Sequence, residues 1–308
     1  MSIQPRLSIC VATYNHEKYI AEALESFLQQ KTNFSFQIII GDDASTDSTP
    51  QILREYATKY PDIIKPILRE KNISPIKNSL DIYSRAKTEF VAICDGDDFW
   101  TNKNKLQRQV DYLDVHPECA ITYHKTCIRY ADGSHDDIEY PSPTKRFDKT
   151  ILTLEDLAVR NPMHTSSLVY RWRFQSEDIR KFMPDDICPG DYFLALLHAE
   201  TGNIAFIDSV MSVYRVHSGG MSFGIHKKRY DLVWLQYGLE ELNFHRAVDT
   251  HFNSRLHRYF RIAIEKKSRA VLDAYLQHRA FDKLATFSNE HPKYYEMAID
   301  YKKQLEQL

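Results

Sequence analysis

The hydrophobic positions of the first 117 residues alternate between short apolar runs and helical spacings. Each run is short enough for one buried strand, and apolar residues three or four positions apart then follow, as in an amphipathic helix. The predicted strands are Leu7–Ala12, Phe36–Ile40, Ile63–Leu68 and Phe90–Cys94. The predicted helices carry Ile20, Leu24, Phe27 and Leu28, then Ile52, Leu53 and Tyr56, then Asn78–Ala86, and finally Leu106, Val110 and Leu113. This order predicts a mainly parallel sheet covered by helices on both faces.

Capping and breaking residues refine these boundaries. Asn15 is a candidate N-cap for the first helix, and Ser48 with Pro50 predicts the start of the second. Pro66 cannot donate a backbone hydrogen bond, so we expect the third strand near an edge of the sheet. Pro117 predicts the end of the fourth helix.

The pattern changes after residue 117 and again near residue 225. Between these points the sequence predicts strands at Ala120–Tyr123 and Ser167–Tyr170, a helix at Tyr192–Thr201, and a pair of strands at Ile204–Ile207 and Met211–Tyr214. The remainder follows a helical pattern. We therefore divide the chain into residues 1–117 and 118–224, as two halves of one domain, and a helical C-terminal region at 225–308.

The composition is that of a globular protein, with 43% hydrophobic and 27% charged residues among 308. Lys and Arg number 40 against 42 Asp and Glu, which argues against a protein that coats nucleic acid. The five cysteines form no CxxC pair, which favours a reducing compartment. No signal-peptide pattern opens the sequence, and no apolar run approaches the ~20 residues of a membrane helix. We expect a cytoplasmic protein, soluble or peripheral to the inner face of the membrane.

Acidic clusters follow the second and fourth predicted strands, at Gly41–Asp47 and Asp95–Asp98. In an open parallel sheet, ligands bind beyond the carboxyl ends of the strands, so we expect both clusters at one edge. Carboxylates there suit a divalent cation that bridges phosphates, or hydrogen bonds from a base and a ribose. A solvated acidic turn is the alternative for either cluster alone. Neither GxxxxGK[ST] nor GxGxxG follows a strand, which disfavours P-loop and dinucleotide enzymes.

Three segments, Ser8–Asn15, Asp42–Asp47 and Asp95–Asp98, together resemble the motifs of family 2 glycosyltransferases of the GT-A fold. Asp98–Trp100 with Lys105 and Gln109, and further on Gly190–Leu194 and Tyr214–Gly220, resemble the bacterial subset that builds capsule, O-antigen and related surface glycans. The resemblance implies an α/β fold with a Rossmann-like, mainly parallel sheet flanked by helices and a C-terminal helical extension.

The resemblance also implies roles for particular residues. The nucleotide pocket would be lined by Thr13, Tyr14, Asn15 and Glu17. Asp43 would accept the uracil N–H with Asp42 supporting the loop, and Asp95 would hold the ribose. Asp97 would bind Mn²⁺ or Mg²⁺ and the donor diphosphate with Asp98 as a second metal candidate, and Arg215 and His217 would lie near the diphosphate, His217 being a further candidate ligand. Asp191 would be the catalytic base.

Glycosyl transfer has requirements that such residues meet. A divalent ion neutralises the leaving nucleoside diphosphate, and a carboxylate takes the proton of the acceptor hydroxyl. One base and in-line attack invert the anomeric carbon, so an α-linked donor gives a β-linked product. We predict transfer from a nucleotide sugar, with UDP favoured, to a glycan or lipid-linked glycan acceptor. The resemblance adds surface polysaccharide biosynthesis as the pathway.

Several assignments keep an alternative. Asp185 and Asp186 compete with Asp191, which is also a candidate helix N-cap. His164–Ser167 is either part of the acceptor site or only the entry to a strand. The basic stretch Lys227–Lys283 suits an anionic membrane surface, or a helical bundle that closes the domain or forms a homodimer. The alternative functions are a metal-dependent nucleotidyltransferase or phosphohydrolase, and a catalytically degenerate nucleotide-sugar-binding module.

Overall fold

The computed structural model describes residues 4–143, 146–220 and 230–306. Its strands are β1 (Leu7–Thr13), β2 (Phe36–Asp42), β3 (Ile64–Leu68), β4 (Phe90–Ile93), β5 (Phe99–Trp100), β6 (Cys119–Tyr130), β7 (Ile138–Tyr140), β8 (Ile151–Leu152), β9 (Val169–Arg171) and β10 (Asn203–Val216). Its helices are α1 (Ile20–Leu28), α2 (Thr49–Lys59), α3 (Pro75–Arg85), α4 (Lys105–Val115), α5 (Leu154–Val159), α6 (Gly190–Ala199), α7 (Tyr230–His251), α8 (His257–Gln277), α9 (Phe281–Glu290) and α10 (Pro292–Glu306).

The chain divides into two compact units. Among the described residues, the first unit holds everything up to Leu157, together with Asn161–Asp186 and Leu194–Gly220. The second unit holds Ala158–Arg160, Ile187–Phe193 and residues 230–306. The predicted divisions after residues 117 and 224 stay predictions, and position 224 lies outside the described residues.

The first unit is built on one mixed sheet. The order of its described strands is β3-β2-β1-β4-β9-β6-β10-β5, with β7 paired to β6 and β8 paired to β10. The strands β1 to β4 are parallel, whereas β9 runs antiparallel to both of its neighbours. The predicted parallel arrangement of the first half is confirmed. The strand that contains Pro66 lies at the edge, as its missing N–H requires.

The central strands are apolar along their length because helices cover both faces of the sheet. All four residues of β4 are buried, and so are six of the seven residues of β1. Ile9, Ile38 and Phe90 from three parallel strands share one core with Leu24 and Phe27 of α1. Continuous burial of this kind explains why these strands lack the alternation of polar and apolar positions.

The register brings the carboxyl ends of the parallel strands together. Thr13, the last residue of β1, pairs with Asp42 at the end of β2. On the other side of β1, the N–H of Gly96 donates to the carbonyl of Ala12 at 2.9 Å. The two acidic clusters therefore flank the end of β1 at one edge of the sheet, as predicted.

Strand β10 differs from the prediction. The apolar runs Ile204–Ile207 and Met211–Tyr214 lie in one continuous strand, and both pair with β6 rather than with each other. Register shifts between Ile207 and Ser212 show that Asp208 and Ser209 fall in a bulged stretch. The expectation of a strand pair was wrong because a bulge absorbs polar residues that resemble a turn.

Helix α1 begins later than its sequence signal indicated. Its first residue is Ile20, and the preceding Tyr19 makes no side-chain cap hydrogen bond. Asn15 instead has a φ of 55°, in the left-handed region that asparagine tolerates better than most residues. The prediction that Asn15 caps α1 was wrong, because its side chain bonds to a neighbouring loop.

The second unit contains the C-terminal helices α7 to α10, and the predicted helical C-terminal region is confirmed. Helices α7 and α8 approach closely at Gly238, where an added Cβ would lie 2.5 Å from a methyl of Val271. Leu242 and Phe244 of α7 and Phe260 of α8 are buried in this unit. None of the described helices is long and apolar enough to cross a bilayer.

Candidate active site

The loops that follow β1 and β2 are held together by reciprocal hydrogen bonds. The N–H of Asn15 donates to the Ser45 hydroxyl at 2.8 Å, and the Asn15 side-chain oxygen accepts from the Thr46 N–H at 2.8 Å. The N–H of Glu17 donates to Asp47 at 3.0 Å, and the Glu17 carboxylate accepts a backbone N–H from the same loop. Asn15 and Glu17 therefore join the loop after β1 to the loop after β2 at this edge of the sheet.

Asp42 and Asp43 are both buried and both shape the loop after β2. Asp42 accepts from the N–H and the hydroxyl of Ser45. Oδ1 of Asp43 accepts from the N–H of Ile73 at 2.8 Å, and Asn72 donates to the Asp43 carbonyl at 3.0 Å. These contacts fix the Asp43 carboxylate beside the end of β1.

The acidic cluster after β4 forms a tight turn. The N–H of Asp98 donates to the Asp95 carbonyl at 3.1 Å, so the chain reverses over Gly96 and Asp97. An added Cβ on Gly96 would lie 2.7 Å from the Thr13 hydroxyl. Only glycine therefore lets this turn close against the end of β1 without displacing Thr13.

Three side chains converge at this turn. Nε2 of His217 lies 3.0 Å from Oδ2 of Asp97, and Nε2 of His16 lies 3.5 Å from the same oxygen. The three ligand atoms lie within 4.8 Å of one another. Two imidazoles and one carboxylate are a donor set that suits a divalent transition metal, so these residues fit the ion that the resemblance implies.

The protonation states of this cluster follow from burial and mutual contact. Burial opposes ionisation of Asp97, but the hydrogen bond from His217 and the electrostatic interaction with the two imidazoles outweigh it, so the pKa of Asp97 is lowered. Burial lowers the pKa of His16, although the charge of Asp97 opposes this. An ionised carboxylate beside a neutral imidazole is the state that can bind a metal.

His217 is held by packing as well as by its hydrogen bond. Its ring lies against Tyr19, with 4.4 Å between the ring centroids. The chain turns directly after it, because the N–H of Gly220 donates to the His217 carbonyl at 2.9 Å. An added Cβ on Gly220 would lie 3.4 Å from His217 Nε2, so this glycine keeps space around the nitrogen.

Arg215 has a different environment from the one expected of a diphosphate-binding residue. Its guanidinium donates to the Asp97 carbonyl at 2.6 Å and pairs with Glu22. Its Cζ lies 4.4 Å from the ring centroid of Phe99 and 5.1 Å from that of Tyr19. With 8% of the residue exposed, Arg215 is committed to contacts within the protein, and its donor-binding role stays a prediction.

Asp98 does not join the metal-ligand cluster. Oδ1 accepts from the backbone N–H of Arg215 at 2.9 Å, and Oδ2 is buried without a hydrogen-bond partner among the described residues. Burial, followed by the nearby charges of Asp97 and Asp95, raises the pKa of Asp98 well above its usual value. The side chain of Asp98 turns into the protein interior, and its role as a second metal candidate stays a prediction.

Two further residues of the predicted pocket differ in exposure. Tyr14 is 44% exposed, at the start of the loop after β1. Thr13 is buried, and its hydroxyl lies 3.2 Å from Nδ1 of His16. Thr13 therefore contacts His16, which the sequence did not single out as a site residue. The available signal for His16 was its place between two predicted site residues, Asn15 and Glu17.

Asp191 belongs to the second unit, and its proposed role as base remains a prediction. Helix α6 begins one residue earlier, at Gly190, so Asp191 lies in the first turn and not at the N-cap. Its Oδ1 accepts from the N–H of Tyr192 at 2.8 Å. Asp185 and Asp186, the competing candidates for the base, belong to the first unit. Asp185 pairs with Lys77 at 3.3 Å.

The segment His164–Ser167 forms a 3-10 turn before β9. Nδ1 of His164 lies 3.1 Å from the Ser166 hydroxyl, and its ring lies 4.2 Å from that of Tyr214. Ser166 is buried, and its hydroxyl donates to the hydroxyl of Ser212 at 3.0 Å. Ser166 and Ser212 thus support the sheet from inside, and a role of His164–Ser167 in the acceptor site stays a prediction.

The fold and the site define a class of protein: an α/β domain with carboxylates and imidazoles gathered where its parallel strands end. A model of Glycosyl transferase family 2 matches residues 8–171, more than half of the chain. The protein belongs to the family 2 glycosyltransferases.

A mycobacterial relative matches a large part of the chain. The uncharacterized protein Rv1520 of Mycobacterium tuberculosis is 43% identical over 215 residues, which are 70% of this chain. The chain spans only 60% of the length of that relative.

Two solved structures show the fold. Staphylococcus aureus TarS in complex with UDP-GlcNAc aligns with a TM-score of 0.56 at 22% identity, covering 96% of this chain and 79% of TarS. The mannosyltransferase PcManGT from Pyrobaculum calidifontis, in complex with GDP-Man and Mn²⁺, aligns with a TM-score of 0.58 at 16% identity, covering 97% of this chain and 84% of the other. The predicted GT-A fold is therefore confirmed.

Proposed function

We propose that the protein is a metal-dependent, inverting glycosyltransferase that moves a sugar from a UDP-linked donor to a glycan or lipid-linked glycan acceptor. One observation carries the proposal. In a chain of family 2, Asp97 and His217 converge, with 3.0 Å between ligand atoms, at the edge where β1, β2 and β4 end. Such an edge is where an open parallel sheet binds its ligand.

The donor nucleotide would be held by the loops at this edge. Thr13, Tyr14, Asn15 and Glu17 belong to the loop after β1, which is bonded to the loop after β2. We assign the uracil N–H to Asp43, whose orientation depends on the Ile73 N–H. We assign the ribose to Asp95, which opens the turn that also carries Asp97.

Asp97 and His217 would hold Mn²⁺ or Mg²⁺. When bound, the ion would neutralise the charge that develops on the diphosphate as the sugar leaves. The carboxylate of Asp97 is ready for this role because its pKa is lowered by the His217 hydrogen bond and the two imidazoles, which outweigh its burial. Arg215 supports the same turn through the Asp97 carbonyl.

Asp191 would act as the base. Its carboxylate takes the proton of the acceptor hydroxyl, and the freed oxygen attacks the anomeric carbon. The bond from that carbon to the diphosphate oxygen breaks, and its electron pair leaves with UDP. Because attack and departure occur on opposite faces, an α-linked donor gives a β-linked product.

The names of the similar proteins support the choice of donor and pathway. TarS is named a poly(ribitol-phosphate) beta-N-acetylglucosaminyltransferase, and its structure contains UDP-GlcNAc. We infer a β-linked product on a surface polysaccharide, made on the cytoplasmic side of the membrane. The basic stretch Lys227–Lys283 would contact the anionic membrane surface or form a homodimer.

The test is release of nucleotide from UDP-, GDP- and dTDP-sugars, with and without Mn²⁺. No acceptor is needed, because water can replace it slowly. The wild type should release UDP from one donor only when metal is present, because the ion neutralises the leaving diphosphate. Asp97→Ala should abolish this release. Asp191→Asn should abolish transfer while nucleotide binding persists, because it removes the base and leaves the donor site intact.

Other products would identify the alternative functions. Pyrophosphate or inorganic phosphate in place of UDP would indicate a nucleotidyltransferase or a phosphohydrolase. Nucleotide-sugar binding without turnover, unaffected by Asp191→Asn, would indicate a degenerate binding module. Metal-independent release of UDP would contradict the metal dependence but would still support a glycosyltransferase.

A further inference from the structure

We propose that His16 is a third metal ligand and that the resulting site selects Mn²⁺ over Mg²⁺. The inference rests on the proposed function, since it names a further residue and the preferred ion of the same site. The sequence indicated Asp97, Asp98 and His217 as metal candidates, and two of these, Asp97 and His217, meet in the structure. His16 lies on a different loop, after β1, and it completes a set of two imidazole nitrogens and one carboxylate oxygen.

The distances suit a shared ion. Bonds of about 2.0–2.2 Å at tetrahedral or octahedral angles hold neighbouring ligand atoms about 3.0–3.4 Å apart. The observed separations from Asp97 Oδ2 are 3.0 Å to His217 Nε2 and 3.5 Å to His16 Nε2. The three side chains are also shielded from solvent, with 13% of His16, 14% of Asp97 and 6% of His217 exposed.

His16 is oriented by its surroundings. The Thr13 hydroxyl lies 3.2 Å from its Nδ1, so Nδ1–H can donate to Thr13 and leave the lone pair on Nε2, the atom that faces Asp97. The His16 backbone N–H donates to the Thr49 hydroxyl at 2.9 Å, which fixes the loop. Gly96 leaves room for Thr13, because a Cβ there would lie 2.7 Å from its hydroxyl.

The donor atoms decide which ion is preferred. Mg²⁺ binds oxygen ligands and keeps several of its waters, whereas imidazole suits transition metals. Each nitrogen in the site therefore favours Mn²⁺ over Mg²⁺. A site of Asp97 and carboxylates alone would discriminate less, and Asp98 is turned away from it.

The experiment measures metal binding directly, without donor or turnover. The signal of free Mn²⁺ is followed by electron paramagnetic resonance as protein is added, and Mg²⁺ is then used as a competitor. His16→Gln should weaken Mn²⁺ binding by at least about tenfold, since even residues that only orient a ligand contribute 10–100-fold. Mg²⁺ binding should change much less, so the preference for Mn²⁺ narrows. Thr13→Val should weaken Mn²⁺ binding in the same direction while retaining the imidazole.

Controls separate this inference from the proposed function. His116→Gln changes an exposed histidine paired with Glu118 and should leave Mn²⁺ binding unchanged. Each variant's unfolding midpoint is measured, and Thr13→Val keeps the test open if His16→Gln does not fold. Wild-type affinity in both His16→Gln and Thr13→Val, or equal affinity of the wild type for Mn²⁺ and Mg²⁺, would overturn the inference while UDP release stays metal-dependent. No metal binding by the wild type would overturn the metal dependence itself.

Discussion

The guanidinium of Arg215 donates to the backbone carbonyl of Asp97 at 2.6 Å, across 118 residues of sequence. The same residue offers its own N–H to Asp98, so the end of β10 is bonded twice to the acidic turn after β4. Phe99 and Tyr19 flank the guanidinium. Because His217 lies two residues after Arg215, this connection sets the distance between His217 and Asp97.

Replacing Arg215 by lysine should therefore affect both stability and metal binding. Lysine keeps the charge but loses the planar fork that reaches Asp97 and Glu22 together. We expect a loss of about 2 kcal/mol in unfolding free energy, typical of a hydrogen bond to a charged group, together with weaker Mn²⁺ binding. Urea unfolding and Mn²⁺ titration measure these effects. Glu22→Gln is the control, because its partly exposed pair should cost under about 1 kcal/mol. Equal losses in the two variants would contradict the positioning role of Arg215.

Two substitutions at Asn15 distinguish the loss of its side-chain hydrogen bond from strain in its left-handed backbone. Asn15→Ala removes the bond to Thr46 and adds strain at a φ of 55°, for a combined cost of about 2 kcal/mol. Asn15→Gly removes the same bond without the strain and should cost less. Both should raise the KM for the donor, because the loops after β1 and β2 lose one of the hydrogen bonds that join them. Urea unfolding and donor titration are the measurements, and equal stability losses would show that the backbone at Asn15 is not strained.

Lys105 should make stability rise with pH above neutrality. It is fully buried over the Trp100 ring, with 4.0 Å from Nζ to the ring centroid, and burial lowers its pKa to about 7. The unfolded chain keeps the proton up to about pH 10.4, so between these values the unfolded state binds more protons and the folded state gains stability as pH rises.

Lys105→Met should remove that rise. From pH 7.5 to 9 we expect the wild type to gain about 2 kcal/mol relative to the variant, measured by urea unfolding at both pH values. The apolar replacement should be tolerated at neutral pH, because the buried Nζ has no hydrogen-bond partner among the described residues. A parallel pH dependence in the two proteins would contradict the assignment.

His198 should make stability rise with pH on the acid side of neutrality. Burial lowers its pKa to about 3, against about 6.5 in the unfolded chain. The unfolded state therefore binds more protons between these values, and stability is present in full above about pH 6.5 and falls as the solution becomes more acidic.

His198→Phe should reduce this acid sensitivity by up to about 1.4 kcal/mol per pH unit between pH 6.5 and 5. The ring that stacks on Trp172 at 5.0 Å is retained in size, although the bond from His198 to the Leu194 carbonyl is lost. Unfolding at several pH values measures the slope. An unchanged slope in His198→Phe would contradict the assignment.

Sequence alone determined the parallel half of the fold and the edge where a ligand binds. Strand and helix periodicities are local, so β1 to β4 and their helices follow from apolar spacing. Pro66 marks the edge strand because it lacks a donor. The acidic clusters meet because both follow strands that neighbour β1.

Tertiary structure decided which side chains face one another at that edge. Asp97 and Asp98 are adjacent and chemically identical, yet the turn over Gly96 directs Asp97 to two histidines and Asp98 to the interior. His16 and Arg215 acquire their places from residues far away in sequence, through the Thr49 hydroxyl and the Asp97 carbonyl. Local patterning specifies the direction of a strand, whereas the orientation of a side chain in a turn depends on packing between distant segments, and only the folded chain contains those contacts.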